Sequence, residues 1–155
     1  MKATTMVMAA VMAAVMAVGL TGCCDKFVEK AAEKAAEKAV EEASGGDASL
    51  AIGDNVDVSA LPVAFRYPGM KAKGRFAQNT PTGSGTVYML ESDDPIAKVK
   101  AHYDTLTVYK QTAKMDTADG SMFAYEAAPG ESYNVVLSPT AGKTVITITH
   151  AKDKP

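Results

Sequence analysis

The spacing of apolar positions changes twice along this chain, dividing it into three kinds of segment. From Thr5 to Leu20, Ala, Met and Val follow one another without a charge, just after the single basic residue Lys2. From Asp25 to Ala43 pairs of alanines alternate with Glu-Lys pairs, and neither Gly nor Pro interrupts them. From Leu50 onward, short runs alternate apolar with polar residues between clusters of turn residues, the period-two mark of strands. Lys71 to Gln78 and Gly85 to Glu91 read as two strands of a hairpin joined by the loop Asn79 to Ser84. Next, Asp93 and Asp94 precede Pro95, which suits a helix cap followed by the first helical position. Ile96, Val99, Tyr103 and Leu106 then fall within about 80° of one another on a helical wheel. Four more β-type runs follow, Val108 to Asp116, Ser121 to Ala127, Ser132 to Ser138 and Lys143 to His150, with Ala118-Asp119-Gly120, Pro129-Gly130 and Pro139 to Gly142 as short turns. Turns this short favour antiparallel neighbours. The expected fold is α+β, one helix packed on an antiparallel sheet in the order β-β-α-β-β-β-β.

The first segment has the layout of a secretory signal peptide: a positive flank, an apolar core and small residues at its end. It is shorter than the ~20 strongly apolar residues of a membrane-spanning helix. The closing tetrapeptide Leu20-Thr21-Gly22-Cys23 resembles the lipobox of bacterial lipoproteins at all four positions. That resemblance implies cleavage before Cys23 and acyl chains on its thiol. Each buried methylene contributes about 0.8 kcal/mol and one chain holds only reversibly, so the two or three chains implied give lasting membrane attachment. Residues 1–22 are then the signal peptide, and the protein an extracytoplasmic lipoprotein. Its second residue would be Cys24 rather than an aspartate, which points to the outer membrane if the cell is Gram-negative. The only two cysteines are adjacent, so a disulfide framework and cysteine-based zinc spacing are both excluded.

The second segment is built of strong helix formers, and Lys30 with Glu33, Lys34 with Glu37, and Lys38 with Glu41 can pair across one turn. Its alanine stripe drifts by about 40° per four-residue repeat and faces no single partner, so a solvated spacer of roughly 28 Å is expected rather than a coiled coil. Ser44, Gly45 and Gly46 should end it as a hinge, closing a linker over residues 23–49 before a domain over 50–155 with a frayed C-terminal tail. In that domain the stretch Val63 to Met70, the hairpin, the Asp-Asp-Pro helix and the closing Thr-Val-Ile-Thr-Ile strand resemble an uncharacterised module of exported bacterial proteins over roughly Asp54 to His150. The resemblance implies a helix-on-sheet fold and brings no catalytic residues.

Charge narrows the partners. Sixteen basic residues face 18 acidic ones, and losing Lys2 with the signal leaves 15 against 18, which argues against nucleic acid. Gly142-Lys143-Thr144 lacks the upstream glycine of a phosphate loop, since Leu137 stands there, and reads as a hairpin turn. Gly83-Ser84-Gly85 lacks the third glycine of a dinucleotide fingerprint, because Tyr88 holds that position. His102 lies at the border of the apolar stripe and His150 ends the last strand, places where histidines usually serve structure. Asp93 and Asp94 have the chemistry for a cation, though capping is the simpler role. No cofactor, metal or catalytic site is expected, and the chain reads as a non-catalytic binding or structural module.

Three surfaces remain. Lys71, Lys73 and Arg75 share one side of the first strand, and Lys110 and Lys114 one side of the third. If the sides coincide, a cationic face is available to anionic lipid or envelope polymer. The plainer reading is that these lysines solvate the open side of the sheet and discourage edge pairing. Phe65-Arg66-Tyr67-Pro68-Gly69, or a sheet edge, suits docking of an envelope protein. A pocket between helix and sheet, lined by residues such as Val99, Tyr103 and Phe123, would suit a small apolar ligand.

Overall fold

Seven antiparallel strands form one sheet in the order β1-β2-β3-β7-β6-β5-β4 in the computed structural model, which describes residues 26–53 and 56–154. The strands are β1 (Ala48–Ile52), β2 (Lys71–Thr80), β3 (Gly83–Ser92), β4 (Lys110–Thr117), β5 (Gly120–Ala128), β6 (Glu131–Thr140) and β7 (Lys143–Asp153). Helix α1 (Lys26–Ser44) precedes them, a 3-10 turn covers Val63–Phe65, and helix α2 (Ile96–Asp104) lies between β3 and β4. The α+β class and the helix-on-sheet arrangement are those expected. The element order differs: an additional strand, β1, opens the sheet, and a helix docks on it.

Alternation builds the core. On β3, β5, β6 and β7 every second residue is buried, from Tyr88 and Leu90 through Phe123 and Tyr125 to Val135, Leu137, Ile146 and Ile148. Val99 and Tyr103 of α2 close over β5, β6 and β7, with Ile96 and Leu106 at the margin of the same cluster. Leu61, Phe65 and Tyr67, from the connection between β1 and β2, complete the lid. Phe65 stacks on Tyr133 at 4.4 Å and on Tyr109 at 5.1 Å and meets Tyr125 edge-on. Two hydroxyls lock this layer: Tyr103 donates to the carbonyl of Phe65 at 3.1 Å, and Tyr125 donates to the carbonyl of Tyr103 at 2.8 Å. Each satisfies a buried main-chain acceptor that would otherwise cost about 1–3 kcal/mol. Burial raises the Tyr103 phenol well above its usual range and, with the charge of Asp104, pushes that of Tyr125 to about 12.

The turns are tighter than the sequence suggests. The expected loop Asn79 to Ser84 is almost all strand, with only Pro81 and Thr82 outside the ladder. In the β6–β7 turn Ala141 and Gly142 both have positive φ, 44° and 81°, the pair of left-handed residues that matches strand twist in a two-residue hairpin. Pro139 is accommodated because it lies near the end of that ladder, opposite Thr144. The expected fray is absent as well: β7 runs to Asp153, whose amide donates to Gly130 at 2.8 Å, and Lys154 donates to Thr82 at 2.9 Å.

The Ala-Glu-Lys segment is helical, yet it is not a free spacer with a hinge. Gly45 and Gly46, with φ of 64° and 90°, turn the chain straight back so that α1 lies against β1. Glu33, Ala36, Glu37, Val40 and Ser44 are half-buried along one stripe, whereas Lys30, Ala31 and Ala32 are exposed. Residues 47, 49, 51 and 53 face β2, as shown by bonds from Asn79 to Asp47 and from Gly53 to Lys73, which turns the even-numbered backbone groups outward. Side chains of α1 take up several of these. The Ser44 hydroxyl accepts from the Ala48 amide at 3.0 Å and lies 3.2 Å from its carbonyl, and Glu37 accepts from the Ile52 amide at 3.0 Å. An unpaired edge invites other strands, and α1 covers this one. Because the helix is docked as far back as Glu33, only the turns before it, about 10 Å at 1.5 Å per residue, extend past β1. Lys38 pairs with Glu42 at 3.7 Å rather than with Glu41.

This docking predicts a local effect. Replacing Glu37 and Ser44 together by Ala should raise hydrogen exchange at the Ala48 and Ile52 amides by roughly five- to tenfold, about 1–1.5 kcal/mol. Exchange in β6 and β7 should be unchanged; acceleration throughout the sheet would instead mean that α1 is integral to global stability.

Candidate functional site

Two β-bulges decide where the nominated cations go. On β2, Ala72 pairs with Leu90 and Gly74 with Met89, leaving Lys73 as the extra residue. Lys71, opposite Glu91, therefore projects from the uncovered face, whereas Arg75, opposite Tyr88, projects on the helix-covered side. On β4, Thr112 is the extra residue: Lys110 opposes Glu126 on the open face, and Lys114 opposes Phe123 on the covered side. The two strands are also separated by β3, β7, β6 and β5. Lys71, Lys73, Arg75, Lys110 and Lys114 thus do not share one face. An inserted residue shifts the side-chain phase by one position, which a plain period-two reading does not detect.

Each of the three best-placed cations meets a carboxylate. Lys71 bonds Asp93 at 2.6 Å, Lys110 bonds Glu126 at 3.0 Å, and Lys114 bonds Asp104 while lying 3.7 Å from Asp116 and 5.7 Å from the Phe123 ring centroid. Lys100 joins the last group, at 2.7 Å from Asp104 and 3.4 Å from Asp116, and the Ser121 hydroxyl donates to Asp116 at 2.8 Å. This alternating network ties α2 to the edge strand β4. Partial burial pulls the Asp104 carboxyl upward, but the bonds from Lys100 and Lys114 outweigh it and hold the group below its ordinary value. The Ser121 bond does the same for Asp116.

The remaining candidates are committed to structure. Asp93 and Asp94 make no side-chain cap to α2, whose capping residue is Pro95 rather than an aspartate. Asp93 binds Lys71 and lies 3.6 Å from Lys143, while Asp94 accepts from Lys98 at 2.9 Å and from the Tyr67 hydroxyl at 2.7 Å. Pro95 takes the capping position and has no side-chain acceptor, and the two carboxylates bind cations instead. His102 meets the Ala64 carbonyl at 3.2 Å between Tyr67 and Tyr103, and His150 meets Glu131 at 2.9 Å with its ring flat on Tyr133. The two histidines share no partner. In the docking segment, Phe65 and Tyr67 are core residues, and the Arg66 guanidinium donates to Leu61 and Ser59 carbonyls at 2.7 Å. Val99, Tyr103 and Phe123 are fully buried in one core cluster, with the Tyr103 and Phe123 rings 6.0 Å apart. Among the described residues no three His, Cys, Asp or Glu side chains group as metal ligands, and no helix is long and apolar enough to cross a membrane. Cys23 and Cys24 lie outside the described residues.

The surface feature that the sequence reading missed is the uncovered sheet face. One ladder row runs from Ile52 on β1 through Met89, Thr147, Val136 and Met122 to Met115 on β4. The next runs from Leu50 through Phe76, Val87, Asn134 and Ala124 to Ala113. Neither row carries a charge on any of the seven strands. Met89 is 41%, Val136 40% and Met115 52% exposed, more than a water-facing sheet normally leaves of such residues. Relief is uneven. Two shallow hollows of about 380 and 190 Å³ lie over the β4 side, bordered by Ala124, Ser132 and Ala151 in one case and by Met115, Met122 and Val136 in the other. Leu50, Ile52, Phe76 and Met89 stand on the β1 to β3 side, and Met115, Met122 and Val136 on the β4 to β6 side. The signal for this face was the alternate set of positions in each strand, visible only once the bulges are placed.

The charge network makes a pH prediction. Asp104 and Asp116 titrate below their ordinary 3.8 in the fold, so their contribution to stability is present above that value and is lost as pH falls from it through the lowered folded values. Asp104→Asn should flatten the fall in urea-unfolding free energy below pH 3.8, and an unchanged acid slope would remove the network from the account. No protein-family model matches this chain, and neither a curated protein nor a solved structure is similar to it.

Proposed function

We propose that this chain is a lipid-anchored cell-envelope protein whose folded part is a non-catalytic interaction module. The observation that carries this reading is the uncharged run Thr5 to Leu20 ending in Leu20-Thr21-Gly22-Cys23, where two small residues precede the one side chain able to accept a thioether-linked lipid. In this reading Cys23 becomes the first residue, its acyl chains hold the membrane, and the outer membrane is the destination if the cell is Gram-negative. Helix α1 begins at Lys26, close behind that cysteine, and its docking on β1 supports a short rigid arm with a set orientation.

An interaction role is favoured over the alternatives by what the side chains do. Of the cations suited to anionic lipid or polymer, Lys71, Lys110 and Lys114 stand on two faces and engage carboxylates, and Val99, Tyr103 and Phe123 are buried in the core that α2 covers. What stays exposed between the charged margins of the open face is a pair of uncharged rows, the kind of surface that meets protein.

Intact mass and membrane fractionation of the native protein beside a Cys23→Ala variant test the anchor. The expected result is an acylated, membrane-bound native chain beginning at Cys23 and a variant with neither acyl mass nor stable membrane association. A native chain that is soluble without lipid, or membrane-bound with residues 1–22 retained, would overturn the reading.

A further inference from the structure

The uncovered sheet face has a shape that fits itself. In the row that starts at Leu50, bulky Leu50 and Phe76 stand over β1 and β2 and small Ala124 and Ala113 over β5 and β4, with β7 between the two halves as the middle strand. A twofold axis lying between two such faces and running along β7 exchanges the halves: β3 meets β6, β2 meets β5 and β1 meets β4 of the second copy. Ladder rows keep their height under that rotation, so in the Leu50 row large positions fall on small ones, while in the Ile52 row Gly74 falls on Met122 and Ile52 meets Met115 at the margin. Phe76 comes over Ala124 and Leu50 over Ala113, while Met89 comes over Val136 beside the smaller hollow. An isologous contact requires this self-complementarity, and interlocking of large with small is how two sheets pack.

Charge and area agree. The two central rows bring no ionic group into the contact, and the nearest pairs, Lys71 with Asp93 and Lys110 with Glu126, neutralise themselves at opposite ends of the face. Seven strands at about 4.8 Å and four rows at about 7 Å make a patch of about 30 by 25 Å, close to the ~800 Å² per partner of a stable interface. We propose that two copies of this chain pack open face to open face about an axis along β7, as a β-sandwich dimer.

Edge-to-edge pairing through β4 is the competing arrangement. That strand carries Lys110, Lys114 and Asp116 and a bulge, which oppose pairing. Its twofold would also stand perpendicular to the sheet and point the two α1 arms in opposite directions, whereas an axis along β7 points both the same way. This last comparison rests on the anchor proposed above; the shape argument does not.

Site-specific crosslinking in isolated membranes tests the dimer, using the full chain with Cys24→Ser and one added cysteine, treated with a short bismaleimide. Thr147→Cys, on the axis, should crosslink to a dimer well above the Cys24→Ser parent, and Met115→Cys should not. Val136→Glu places a charge in the contact and should lower the Thr147→Cys dimer by at least about tenfold, the effect of some 1.4 kcal/mol. The variant should still fold, with an unchanged circular dichroism spectrum, because the position is 40% exposed in the single copy. Absence of a Thr147→Cys dimer, or a Met115→Cys dimer exceeding it, overturns the proposal. Intact mass of the same samples reads acylation separately, so a failed anchor and a failed dimer are told apart.

Discussion

Strand side chains alternate between two faces, and in this molecule only one face is dry. Tyr88, Val135, Ile146 and Ile148 can be buried together because α2 and the Leu61 to Tyr67 stretch close over their side of the sheet. At roughly 25 cal/mol per Å² of apolar surface, that face supplies most of the drive to fold. Everything else follows from which residues it claims. An inserted residue in β2 sends Arg75 to the dry side, and another in β4 sends Lys114 there. Lys114 is tolerated because Asp104 and Asp116 meet it at the margin of the helix.

A sheet covered on one side still has two edges, and they are managed differently. At β1 the main-chain groups that point away from β2 are met by Ser44 and Glu37, so a helix of low-complexity sequence acquires a specific seat. At β4 charge and a bulge serve the same end, and the Lys100, Asp104, Lys114 and Asp116 network fastens that strand to α2. Exposed ion pairs contribute little singly, typically below about 1 kcal/mol, but a shared network fixes the helix against the sheet more firmly than any one of them.

The second face then becomes the functional question. Solvent-facing sheets usually carry charge on alternate positions, and two central rows here carry none across the whole width. A contact built from methionine, valine and small residues adapts easily, since thioether side chains fill irregular gaps. Helix α1, seated on β1, has a defined direction relative to that face.

Much of this fold was legible from the residues alone. Turn chemistry at Pro129-Gly130 and Ala141-Gly142, period-two runs and the Ile96, Val99, Tyr103 stripe were enough to place six strands, the core helix and the α+β class, because each is a local preference repeated along the chain. The short run Ala48–Ile52 was not legible, since its strand identity comes from pairing with β2 rather than from its own sequence. Leu20-Thr21-Gly22-Cys23, which resembles a lipobox, is a contiguous stretch outside the described residues. Only tertiary structure decided that the two basic stripes are split, that the Ala-Glu-Lys helix is docked, and that two central rows of the uncovered face are uncharged. All three depend on register between strands distant in sequence, and one inserted residue reverses which face a side chain joins.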